Sequence, residues 1–187
     1  GLCTDERQID WLLDSGRGFD VQGEEVTEQI AALALQGPTS CALLKRIGLA
    51  GVELLKPFEL GTFETNGLRL TVSRTGFTGD LGYELWVAPQ DAIALWDALL
   101  AIGKSRGVRP IGSSALNLAR IEAGFLAPNV DFVSAERTLR VGTARSPFEL
   151  GLGWLVDFEK GHFTGRRALL AEQRRGPRRQ LVGLDID

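Results

Sequence analysis

The chain has no methionine, one histidine and two cysteines. His162 stands in a Lys-Gly-His-Phe turn, with no Ser, Cys or carboxylate at a recognisable spacing, which argues against a base or ligand role. Cys3 and Cys41 are far apart and fit no metal-ligand spacing, so they read as reduced thiols of an intracellular, cytoplasmic protein. No metal cluster, phosphate loop or triad motif is present. No apolar run approaches a membrane span, and no signal peptide is recognisable. Lys plus Arg number 21 against 24 Asp plus Glu, a net charge of −3, which leaves no basic field for nucleic acid. With no initiator methionine, the sequence reads as a processed or truncated product.

What remains is ordinary globular composition: 44% hydrophobic and 24% charged over 187 residues, room for one domain or one and a half. The richest stretch is Arg74-Thr75-Gly76-Phe77-Thr78-Gly79-Asp80-Leu81-Gly82-Tyr83-Glu84-Leu85-Trp86. Alternation on both sides reads as strand, so the three glycines lie in a strand-loop-strand connection. Glycine there permits positive φ or close approach of another group. No helix follows the third glycine, which excludes a dinucleotide fingerprint. Glu84 and Trp86 share a strand face. A carboxylate beside an aromatic plane suits a flat heterocycle bearing N–H donors. The plainer reading of Glu84 is a solvent-facing strand glutamate.

Periodicity predicts a helix over residues 5–15, a strand or its approach over 26–35, and a short helix opened by Pro38 and Thr39. Residues 58–65 and 68–73 form a hairpin about Asn66-Gly67. A strand follows over 83–88. A helix over 89–105 buries Ile93, Leu95, Trp96, Leu99, Leu100 and Ile102. Another helix, 115–123, is capped by Gly112-Ser113-Ser114 and ended by Gly124. Residues 154–158 and 180–186 read as strands around a helix over 165–173, with Arg174, Arg175, Arg178 and Arg179 as a solvated basic linker. This order predicts an α+β fold, an antiparallel sheet with its helices on one face.

Residues 73–84 resemble the S-R-x-G-Y-T-G-E-x-G-x-E stretch of the aminomethyltransferase family, the T-protein of the glycine cleavage system. Phe77 stands for the usual tyrosine and Asp80 for glutamate. Four further stretches agree in order. Leu33-Ala34-Leu35-Gln36-Gly37-Pro38 resembles A-L-Q-G-P, and residues 110–124 resemble P-x-G-x-x-A-x-D-x-L-R-x-E-A-G. Gly151-Leu152-Gly153-Trp154 resembles G-L-G-W, and residues 163–169 resemble F-x-G-[KR]-x-A-L. The resemblance implies ferredoxin-like elements of the T-protein fold and a C-terminal β-barrel beginning near Leu181. It divides the chain into 1–23, the end of a preceding domain portion; 24–124, an α+β folate-binding domain; 125–150, an irregular loop or lid; and 151–187, a continuation of the core and start of the β domain.

The resemblance also implies tetrahydrofolate as cofactor. Glu84 would accept from the pterin's amino group and ring N–H. Arg120 would reach the anionic benzoyl-glutamate part, its plainer reading being an ion pair with Glu122 or Asp91. Phe77 and Trp154 complete the folate set, and Asp131 lies on the substrate side. No catalytic residue is assigned, because the family's reacting-centre aspartate precedes Gly1, and the 187-residue piece is expected to show little transfer by itself. After Gly124 the chain departs from the family's Y-G-x-D, running Phe125-Leu126-Ala127-Pro128-Asn129-Val130-Asp131-Phe132. The partner would be a lipoyl carrier protein or a small methyl donor, so a tetrahydrofolate-dependent S- or O-demethylase stays open. A third reading is a non-catalytic folate-binding accessory. Such relatives carry a K-G-C-Y-x-G-Q-E-type motif, whereas residues 160–166 contain no cysteine. A fourth is an inert fragment.

Overall fold

The computed structural model describes residues 6–134, 137–140 and 142–184. They fall into two compact units, one through Leu116 and one from Asn117 onward.

The first unit opens on helix α1 (Glu6–Ser15). Strand β1 (Ala31–Gln36) follows a short 3-10 turn, and α2 (Ser40–Arg46) follows β1. β2 (Leu60–Thr65) and β3 (Leu68–Ser73) form the expected hairpin. Asn66 and Gly67 both take positive φ, 49° and 77°, the geometry of a type I′ turn whose twist matches the strands it joins. β4 (Gly82–Val87) and α3 (Ala92–Gly103) complete the unit. The sheet order is β1-β4-β3-β2 with every pair antiparallel.

Alternation decides the two faces of this sheet. Leu35 on β1, Leu70 and Val72 on β3, and Tyr83, Leu85 and Val87 on β4 are buried. They form one core with Leu43, Leu44 and Ile47 of the α2 region and Leu95 and Leu99 of α3. Both helices therefore cover one face, as expected. The opposite face carries the intervening residues. The register sets Ala34, Glu84 and Ser73 in one row, and Ala32, Trp86 and Thr71 in the next.

Helix α3 differs from expectation. Its ends, Pro89–Asp91 and Lys104–Arg106, are 3-10 turns. Ile93 is 75% exposed and Trp96 41% exposed, so neither joins the core. The buried stripe is Leu95, Leu99 and Gly103, spaced four apart, which turns Ile93 and Trp96 to the flank. Gly103 lies under Val108, whose side chain would sit 2.5 Å from a β-carbon there.

Helix α4 (Ser113–Glu122) is stopped just before Gly124, whose φ is 74°. The second unit continues through turns to α5 (Arg166–Arg175). Two expected strands are absent. Residues 153–155 form a 3-10 turn, and Gly153 lies under the Phe148 ring, 2.6 Å from where a β-carbon would be. Residues 180–184 form no strand, and Leu181 donates a single backbone bond to Glu149, 2.8 Å. A β-strand exists only with a partner to pair, and neither segment has one among the described residues. The expected start of a barrel therefore has no counterpart in residues 180–184, and residues 185–187 lie outside the described residues. No described helix is long and apolar enough to cross a membrane.

Candidate functional site

The β3–β4 connection brings chemistry to the sheet face opposite the core. Ser73 ends β3 and Gly82 opens β4. Ser73 and Glu84 are directly opposed, with the loop closing over them. Thr75 Oγ1 donates to Glu84 Oε2 at 2.9 Å and is hydrogen-bonded to Ser73 Oγ. Glu84 is half-buried, and its second oxygen takes no donor among the described residues. Trp86, half-buried, is the next outward residue on the same strand. The arrangement is one oriented carboxylate, with Trp86 two residues further on along the same strand face.

The loop is held from β1. Gln36 lies on the same face, opposite Gly82. Its Nε2 donates to Thr75 O at 3.5 Å and Tyr83 O at 3.4 Å, and its Oε1 accepts from Thr78 Oγ1 at 3.2 Å. A β-carbon on Gly76 would fall 2.0 Å from Gln36 Oε1, and one on Gly82 would fall 2.1 Å from it. Gly79 needs glycine for its φ of 76°. Thus two of the three loop glycines make room for one amide, and the third supplies backbone freedom. Gly37 N and Ser40 Oγ both donate to Leu81 O, at 2.7 and 3.4 Å, so the A-L-Q-G-P segment and the glycine loop interlock.

Phe77 sits on this loop, 39% exposed. A cavity of about 500 Å³ opens beside β1, among Leu33, Gln36, Trp96, Arg106, Arg109 and Ile111. It includes neither Glu84 nor Trp86, so size alone does not locate the carboxylate site.

In the second unit, Arg120 is 2% exposed. Its Nε and Nη2 donate to Asn117 Oδ1 at 2.9 and 2.8 Å, and its Nη1 donates to Phe125 O at 3.1 Å and to Asp131 Oδ2. The ion pair is with Asp131, not with Glu122 or Asp91. Asp131 Oδ2 also accepts from Ala127 N at 2.7 Å. That backbone N–H, and then Arg120, hold the Asp131 carboxyl below the usual range against the opposing effect of burial. Trp154 is 76% exposed on its 3-10 turn. The structure joins Arg120 to Asp131, and Phe77 to the Glu84 loop.

Sequence reasoning missed Ser73, Thr75 and Gln36 as parts of the site. Gln36 was visible only as a letter in A-L-Q-G-P. Its signal was the strand register, which sets it against a glycine.

The family of the GCVT N-terminal domain matches residues 2–160. An aminomethyltransferase of Halothermothrix orenii is 35% identical over 182 residues, 97% of this chain and 48% of the relative. One from Bacillus pumilus is 36% identical over 183 residues, with the same shares covered. The crystal structure of the glycine cleavage system aminomethyltransferase T from Bartonella henselae superposes with a TM-score of 0.71 at 31% identity, covering 91% of this chain and 43% of that one. The chain spans about half the length of these curated relatives. By sequence match, by identity and by fold, the chain belongs to the aminomethyltransferase family, in its GCVT N-terminal domain.

Proposed function

We propose that the face of the four-stranded sheet opposite its core binds a reduced folate, and that the chain is part of a tetrahydrofolate-dependent one-carbon transferase of aminomethyltransferase type. The observation that carries this reading is Glu84, with Oε2 held by Thr75 and its other oxygen without a donor among the described residues, on the same strand face as Trp86. The donor set fits the pterin. A carboxylate takes an amino group and a ring N–H side by side, and an indole plane takes the flat ring.

When bound, tetrahydrofolate supplies the amine that takes up the one-carbon unit. The chain's own residues bind and orient. Glu84 fixes the ring edge, Thr75 and Ser73 fix Glu84, and Trp86 with Phe77 supplies apolar surface. Positioning two reactants converts a bimolecular encounter into a local one, the main service such a site offers. In this reading Arg120 belongs to the folate set, and within its own unit it anchors the segment after α4 through Phe125 O and Asp131. Asp131 belongs in the same reading to the one-carbon donor's side, and Trp154 is assigned to folate contact. The enzyme would act in the cytoplasm on a lipoyl carrier protein or a small methyl donor.

Calorimetric titration with 5-formyltetrahydrofolate tests this. Glu84→Gln removes a charge-assisted pair of hydrogen bonds worth about 1.5–3 kcal/mol, so affinity should fall roughly tenfold to a hundredfold. Equal affinity in the two proteins would remove Glu84 from the site.

A further inference from the structure

We infer that Gln36 is a positioning residue for Glu84: its side-chain amide, packed between Gly76 and Gly82, sets the Thr75 hydroxyl that orients the carboxylate. This rests on the folate-binding reading for its consequence, not for its geometry. The amide lies on the same face as Glu84, one row along, because Gln36 is opposite Gly82 and Ala34 is opposite Glu84. It reaches the backbone of Thr75 while the side chain of Thr75 reaches Glu84 Oε2. Two carbonyl oxygens, Thr75 O and Tyr83 O, face its Nε2 and a hydroxyl faces its Oε1, which fixes the amide in one orientation. The clearance is built for it. Any side chain at position 76 or 82 would put a β-carbon about 2 Å from Oε1, and both positions are glycine.

A purely structural glutamine would not need this placement. The apolar core lies on the other sheet face, where Leu35 points. Gln36 instead fills the floor of a polar cluster made of Ser73, Thr75, Thr78 and Glu84. Removing the amide leaves Thr75 O and Tyr83 O without this donor and frees the loop above Gly82. The carboxylate would remain, but without a fixed hydroxyl to aim it.

Three variants of the full chain test the inference: Gln36→Ala, Gly76→Ala and Gln36→Ala/Glu84→Gln. Two readouts are used, 5-formyltetrahydrofolate affinity and the NMR resonance of the Glu84 carboxyl carbon. Gln36→Ala should weaken binding about three- to tenfold, the scale of coupling between neighbours. Gly76→Ala, whose methyl displaces the amide, should do the same. In the double variant the loss should equal that of Glu84→Gln alone, because Gln36 acts through Glu84. The Glu84 resonance should move in Gln36→Ala without any ligand. A lower Tm with unchanged affinity and an unmoved resonance would overturn the inference. So would losses that multiply in full in the double variant. If the unaltered chain binds no folate, the functional reading fails, and the resonance still decides the role of Gln36.

Discussion

Asp131 and Arg120 show how much a single contact can carry. The arginine is almost wholly buried and the aspartate keeps 23% of its side chain exposed. Breaking a buried pair by removing one partner leaves an unpaired charge, at a cost of about 3–5 kcal/mol. Arg120→Met and Asp131→Ala should each destabilise the second unit on that scale, with the partial exposure of Asp131 placing its variant at the lower end. Denaturant unfolding measures both. The pH dependence has a definite sign. The Asp131 carboxyl is held low in the fold, so its contribution is complete above the unfolded value of about 3.9 and is lost as pH falls through the lower folded value. Melting curves of the parent and Asp131→Asn should converge in acid; a gap that stays constant with pH would deny that the charge matters. Arg120 was legible in the sequence through its motif. Its partner was not, because Glu122 and Asp91 looked nearer, and only the turn at residues 127–131 brings Asp131 back to the helix.

At the scale of elements, period-two alternation and the Asn66-Gly67 turn made the sheet legible, because burial on one face forces both patterns. Helix α3 was legible in existence but not in rotation: Ile93 and Trp96 continue its apolar face past the part that packs. The 3-10 turn at Gly153–Leu155 read as a strand because a short apolar run says nothing about whether a neighbour exists to pair with it. Strand β4 yields a direct test of the core. Tyr83 is 2% exposed, and burial pushes its hydroxyl up to about 12. A raised phenol favours the neutral folded form. Its contribution is therefore intact below pH 10 and falls between about pH 10 and 12. Tyr83→Phe should flatten that alkaline loss in a pH series of thermal melts; an unchanged slope would mean the hydroxyl is not buried as described. Leu85→Ala, at a fully buried position of the same strand, should cost about 2–5 kcal/mol.

For the whole molecule, the family was legible from five short stretches in order, and sequence and fold comparisons agree with it. The site was legible only in part: Glu84 and Trp86 followed from alternation, while the hydroxyls and the amide that orient the carboxylate depend on a register that no periodicity shows. Residues 125–147 are where this chain departs from its family's pattern. In the full-length enzyme, trimming residues 133–144 while Asp131 keeps its bond to Arg120 should change which one-carbon donor is accepted and leave folate affinity nearly intact. Unchanged donor preference and turnover would remove the segment from the substrate side. The central claim, that the sheet face opposite the core is a folate site, is tested most directly by a crystal structure with 5-formyltetrahydrofolate bound. The expected result is a pterin ring against Trp86, with its amino group and ring N–H within about 3.2 Å of the Glu84 carboxylate. A folate bound with its pterin away from Glu84 and Trp86 would contradict the claim.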